Sequence, residues 1–506
     1  MRKNLLERVY SFGEGTVRPP WMNWLWGICL LSQMLQVSTY WTWHGPDRNR
    51  QLVAASQAVA GEGYTEPYYQ PESQQIIQVP LTHWAPGYSI VAAGAYYLFP
   101  SWELVSQLIR VMAILLVFCG IWSVMSGVRE WIPWTAEAFL LIFWMASFAP
   151  FRFFNDTDLL SLGFALLASS LLLSRRAAVI QPAIAVGLLY LSAWFRIAYA
   201  PFLLLPGMFL WIQDRTIRPS APVLSGIVTG IVGIGIYFLT VSPDHPVSGE
   251  VSDVISFGPF FPENLLSFDA FPVKTWLYVS TEAVYNKTGA WGGMMVSGCL
   301  IVLTLAFLIR LGKEIFKGAD QDSVSALPLL LGIVLCMVSF ELGWLSLKTP
   351  KEIHDGIRSW TYVQETRYFA WPMILISIWT LRLVFTFRGN GFVRTLLRLG
   401  LPICLLIGWS HGLYRHTAAL LTDAHYGTRW TEEEKNMEEF FEEVAAAAAN
   451  GTVYLYTGDD ILSRDYASVG VLAGGVLVQD TSSLPEGSQL FLPYNLVRSS
   501  NSQIAR

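Results

Sequence analysis

An all-α polytopic membrane protein of about eleven transmembrane helices, ending in a small extracytoplasmic α/β domain, is the fold class the sequence predicts. Three observations predict it. Of the 506 residues, 53% are hydrophobic and 14% are charged, against roughly 25% charged in an average soluble domain. Apolar runs of spanning length recur from residue 21 to residue 413, and residues 414–506 then change character. So little charge cannot cover a soluble surface of this size, so the expected solvent is lipid. The composition excludes a cytosolic enzyme, a nucleic-acid binder and a disordered scaffold. The net charge of −5 implies no polyanionic partner.

The apolar runs lie at 21–40, 104–126, 134–151, 157–174, 178–195, 198–213, 221–241, 291–311, 325–345, 368–387 and 395–413. A span needs roughly 17–25 residues, which makes 198–213 the short one. Residues 86–99 open on Pro86-Gly87-Tyr88 and are too short to cross, so they read as a re-entrant or interfacial segment. No small-residue cleavage site follows the first run, so it is expected to stay as a span.

Charge placement orients the chain. Arg2, Lys3, Arg8 and Arg18 precede the first span, which puts the N-terminus in the cytoplasm. Threading the spans from there leaves Arg129, Arg175, Arg176, Arg215, Arg218, Arg310, Lys313, Lys317, Arg388, Arg394 and Arg398 all inside. Counting 86–99 as a full span would move Arg175 and Arg176 outside. The organisation expected is a transmembrane domain over 1–413, with its first extracytoplasmic loop at 41–103, and an extracytoplasmic α/β domain over 414–506. In the latter, Glu432 to Glu443 reads as an acidic amphipathic helix running into alanines. Val453–Tyr456, Gly475–Val478 and Gln489–Leu492 read as short strands.

The candidate chemistry lies on the outside. Asp47 follows the first span closely, so it sits near the membrane surface, where a carboxylate can act as general base on an acceptor hydroxyl. It can equally pair with Arg48 or Arg50, or cap the helix expected over Gln51 to Ala60. Asp156 and Asp158, in Asn155-Asp156-Thr157-Asp158, can bind sugar hydroxyls or cap the next helix. Arg196 and Arg367 stand at outer span ends. There a guanidinium can bind a lipid phosphate bidentately, or merely snorkel. The five cysteines, Cys29, Cys119, Cys299, Cys336 and Cys404, sit in apolar runs without metal-ligand spacing. The seven histidines all fall on the expected outside, scattered, so no metal site is predicted, although His83 stands near Asp47 and Glu66.

The first loop resembles that of GT-C glycosyltransferases, the superfamily of protein O-mannosyltransferases and the lipid A aminoarabinose transferase. The resemblance rests on Asp47, an Ala-rich helix, Gly61-Glu62-Gly63-Tyr64 and Trp84-Ala85-Pro86-Gly87-Tyr88. It continues through Asn155-Asp156-Thr157-Asp158, Arg196 and Glu365-Thr366-Arg367-Tyr368. Ala85 departs from the usual proline, and Arg48 stands where relatives often carry a second acidic residue. The resemblance implies a GT-C-like fold, with Asp47 as catalytic base. It implies Arg367 and Tyr368, with Arg196, on the donor phosphate, and His83, Trp84, Tyr88, Asp156 and Asp158 near the substrate.

The function expected is inverting transfer of a sugar from a polyprenyl-phosphate donor to a glycan, lipid or protein acceptor. It would occur at the outer face of a bacterial inner membrane, without nucleotide or other cofactor; a divalent metal is not favoured. A transporter or flippase for a lipid or glycan is the rival, and a glycan polymerase or ligase a third reading. Transporters place ionisable groups at mid-membrane and often repeat their halves. No repeat is evident, and interior charges are scarce, Glu137 and Glu341 being the main ones.

The topology makes a direct prediction. With cysteine replacing Ser482 or Ser323, a membrane-impermeant thiol reagent added outside should label the Ser482 site alone. Labelling of the Ser323 site instead would invert the topology.

Overall fold

The computed structural model describes residues 18–37, 46–81, 85–128, 156–173, 180–214, 221–241, 427–457, 461–478, 484–485 and 487–492. It adds separate positions between 134 and 141, at 309 and between 371 and 378. The spans expected at 291–311, 325–345, 368–387 and 395–413 fall wholly or almost wholly outside these residues.

The membrane-type helices follow the apolar runs. They are α1 (Trp21–Val37), α4 (Trp102–Val128), α5 (Asp156–Leu173), α6 (Ile180–Phe195), α7 (Leu205–Asp214) and α8 (Ala221–Val241). Among the described residues, α4 and α5 are long and apolar enough to cross a membrane. The stretch expected as the short span at 198–213 is broken: a 3-10 helix at Ile197–Leu204 precedes α7. Pro201 and Pro206 remove backbone donors there, so one α ladder cannot run through. Lipid-type faces remain exposed, for example Trp24, Ile28 and Leu31 on α1, and Val228, Ile231 and Val232 on α8.

Helices α4 and α5 make the tightest pair. A Cβ on Gly163 would lie 2.6 Å from Leu116 Cγ, and one on Gly120 2.7 Å from Leu166 Cβ. Only glycine permits this backbone approach, and close approach is how helices gain van der Waals contact where lipid offers no hydrophobic drive.

The stretch after α1 is more ordered than its sequence suggests. Helix α2 (Pro46–Ala60) begins five residues before the expected start, because Pro46 suits the first helical position and Asp47 the first turn. It ends in a Schellman motif: Glu62 N–H donates to Gln57 O (2.9 Å) and Gly61 N–H to Ala58 O (3.2 Å), with Gly61 at φ 90°. Gly63, at φ 75°, turns the chain into a hairpin of β1 (Thr65–Gln70) and β2 (Gln75–Pro80). The sequence reading left this stretch merely polar. Helix α3 (Gly87–Tyr96) follows, too short to cross a bilayer, as expected.

Beyond residue 427 stand α9 (Gly427–Ala448), β3 (Val453–Tyr456), α10 (Ile461–Leu472), β4 (Val476–Val478) and β5 (Gln489–Phe491). The three strands lie where the sequence placed them; α10 is additional. The parallel neighbours β3 and β4 need a crossover, and α10 supplies it. Gly474, at φ 104°, ends α10 in a second Schellman motif, Gly475 N–H to Gly470 O at 3.0 Å. Amphipathic α9 buries Met437, Phe440 and Val444 and exposes Glu438, Glu439 and Glu442.

These strands do not form a sheet of their own. The order is β2-β1-β4-β3-β5, with β1 parallel to β4 through Tyr68 and Leu477. Two of the five strands, including the β2 edge, therefore come from residues 65–80, and Tyr69 meets Tyr454 edge to face, centroids 5.1 Å apart.

The glycine contacts generate a test. Gly163→Ala should destabilise the protein by about 1–3 kcal/mol, the cost of overpacking a filled interface. Gly187→Ala, in the interior of α6, whose Cβ would meet nothing within 4 Å, should not destabilise it and should gain up to about 1 kcal/mol of helix propensity. Thermal unfolding in detergent checks both.

Candidate functional site

Four of the sequence-predicted residues come together where the first loop meets the N-terminus of α5. Asp156 and Asp158 both occupy the first turn of α5, where the free N–H groups and the helix dipole favour negative charge. Both are buried, Asp156 completely. Burying carboxylates is tolerable only with partners, and each has an arginine. Arg110 Nη1 donates to Asp156 Oδ1 at 3.1 Å, with both side chains buried. Arg196 Nη1 donates to Asp158 Oδ1. Tyr88, wholly buried at the start of α3, donates its hydroxyl to Asp156 Oδ2 at 3.4 Å.

Tyr88 reaches Asp156 because Gly87 lets α3 abut the end of α6: a Cβ there would lie 2.6 Å from Trp194 O. The next residue ties the site to α2, since Ser89 Oγ donates to Gln51 O at 2.9 Å. Gln51 is one helical turn beyond Asp47. Asp47 thus stands in the opening turn of the helix that α3 joins to the Asp156 cluster.

Arg110 was not among the sequence candidates. Its signal was present: an arginine inside the apolar run 104–126 calls for a partner and is a functional-site candidate by default. One turn before it on α4, the Ser106 hydroxyl is buried without a hydrogen-bond partner among the described residues. The Trp194 indole N–H is in the same condition. Each is a donor that a sugar hydroxyl or a phosphate oxygen can accept from.

A second charged group lies before α1. Buried Glu137 accepts from Arg18 Nη2 (3.0 Å), Arg18 Nε (3.2 Å) and Trp26 Nε1 (2.8 Å). Helices α1, α6 and α8 carry no charged residue. Among the described residues no three His, Cys, Asp or Glu side chains form a metal-binding group. His83, Trp84, Arg367 and Tyr368 lie outside the described residues, as do all seven histidines. Of the cysteines, Cys29 is buried and Cys119 exposed.

No family model and no curated protein matches the chain. Among solved structures it is similar to ArnT from Cupriavidus metallidurans. The crystal structure bound to undecaprenyl phosphate aligns over 92% of this chain and 86% of that one, at 14% identity and TM-score 0.43. The apo crystal structure aligns over 92% and 90%, at 12% identity and TM-score 0.43.

Removing one partner of the buried pair should be costly. Arg110→Ala should destabilise the protein by about 3–5 kcal/mol, because it leaves Asp156 buried and uncompensated. Arg110→Leu combined with Asp156→Leu should recover most of that loss in thermal unfolding.

Proposed function

We propose that the protein is an integral membrane glycosyltransferase of the GT-C type. It transfers a sugar from a polyprenyl-phosphate donor to an acceptor at the outer face of the cytoplasmic membrane. The observation that carries this reading is the convergence of Tyr88, Asp156, Arg110, Asp158 and Arg196 under the helix that begins with Pro46 and Asp47. Buried charge gathered at one level beside a folded outside loop suits an enzyme. A transporter needs ionisable groups strung along a path through the bilayer.

In this reading Asp47 takes the proton of the acceptor hydroxyl or amine. The nucleophile attacks the anomeric carbon as the bond to the phosphate breaks, inverting its configuration. The leaving phosphate departs as an anion, and Arg367 and Tyr368 hold it, with help from Arg196. A guanidinium matches phosphate oxygens two at a time, which a lysine cannot. His83, Trp84, Tyr88, Asp156 and Asp158 line the sugar or acceptor. Arg110 pairs with Asp156 and Arg196 with Asp158, so the buried carboxylates are compensated. No metal or nucleotide enters the scheme.

Comparing the lipids and glycans of a deletion strain with those of its parent identifies the product. Asp47→Asn should then lower transfer roughly 10²–10⁴-fold, the contribution of a general base, at unchanged protein abundance. A variant retaining a tenth of the parental rate would remove Asp47 from that role.

A further inference from the structure

Helix α2 is polar at its start, yet most of its residues from 48 to 55 are buried. Arg48, Asn49 and Gln51 are all buried, as are Leu52, Val53, Ala54 and Ala55. The helix is shared between two cores. Leu52 and Ala55 pack with the membrane helices, while Val53 packs with Met437, Phe440, Val444, Tyr466 and Val469 of the C-terminal segment. Buried polar groups need partners, and two of these partners lie outside the membrane helices. Asn49 Nδ2 donates to Asp465 Oδ1 at 3.1 Å, both residues fully buried. Arg50 Nε donates to Glu66 Oε1 at 2.7 Å, and Arg50 Nη2 to Glu66 Oε2, a bidentate fork onto β1.

From this we infer that Asp465 is a positioning residue: from α10 of the C-terminal segment it fixes the turn of α2 that carries Asp47. The inference rests on the proposed role of Asp47 as base. Asn49 is two residues beyond Asp47, so its side-chain amide anchors the same helical turn. Parallel pairing of β1 with β4 holds α10 and the hairpin in one frame, so Asp465 and Glu66 grip adjacent residues of α2 from a common scaffold. A small shift of a catalytic group can cost 10²-fold in rate. The C-terminal segment is thereby part of the catalytic apparatus without touching substrate.

The test uses full-length enzyme purified in detergent and added to membranes of the deletion strain, which supply donor and acceptor. Asp465→Asn should lower the saturating rate roughly 10- to 100-fold with little change in the membrane concentration giving half that rate. Exchanging the pair, Asp465→Asn with Asn49→Asp, restores an amide facing a carboxylate and should recover most of the rate. Hydrogen exchange should rise in peptides from residues 46–60 of the Asp465→Asn variant and stay unchanged in those from α4 and α5. An Asp465→Asn enzyme of parental rate overturns the inference, as does a loss that the exchanged pair does not relieve. Faster exchange throughout the protein also overturns it, making Asp465 a general stability residue. Asp47→Asn, run alongside, separates the two claims. If it is inactive while Asp465→Asn is not, positioning alone fails. If it is active, the base assignment fails.

Discussion

The start of α2 is polar and largely buried, and meeting its hydrogen-bonding needs ties distant parts of the molecule together. A helix opening Pro-Asp-Arg-Asn-Arg-Gln would ordinarily lie in water. Here the membrane helices cover one side and the C-terminal segment the other. Leaving a buried amide or guanidinium unmet would cost about 1–3 kcal/mol or more for each group. Asn49 finds its partner 416 residues along the chain in Asp465 and Arg50 finds Glu66, while Ser89 meets the backbone carbonyl of Gln51. Once they are in place, the hairpin must lie beside β4, and one mixed sheet spans two distant parts of the sequence.

The same rule governs charge at the ends of the membrane helices. Asp156 and Asp158 gain from the N-terminus of α5, but desolvation would outweigh that gain without Arg110 and Arg196. At the start of α1, Glu137 is met by Arg18 and Trp26.

Several motif residues earn their place through the backbone. Gly61 and Gly63 adopt positive φ to end α2 and begin β1. Gly87 lets α3 touch the end of α6 and so delivers Tyr88 to Asp156. A Gly-x-Gly-Tyr or Pro-Gly-Tyr signature thus has an architectural reason to exist, quite apart from chemistry. The reacting groups are set on elements whose ends these glycines define.

Local pattern determined much of this protein. Hydropathy placed α1, α4, α5, α6 and α8 to within a few residues, because a lipid-facing helix must be apolar for most of its length. Short runs rich in β-branched, aromatic and other apolar residues placed β3, β4 and β5, and an amphipathic pattern placed α9. Asp156 and Asp158 were legible as candidates from their site between two runs, and Asp47 from the motif around it. Tertiary structure decided the rest. The hairpin at 65–80 is polar and half exposed, so no apolar alternation marks it; its order comes from pairing with β4. Helix α10 was not read from the sequence, although its 12 residues are of ordinary helix length. Arg110 became a site residue only when α5 brought Asp156 to it, 46 residues away in sequence. The link from Asn49 to Asp465 left no local trace, because a buried hydrogen bond between distant residues is specified by packing and not by spacing.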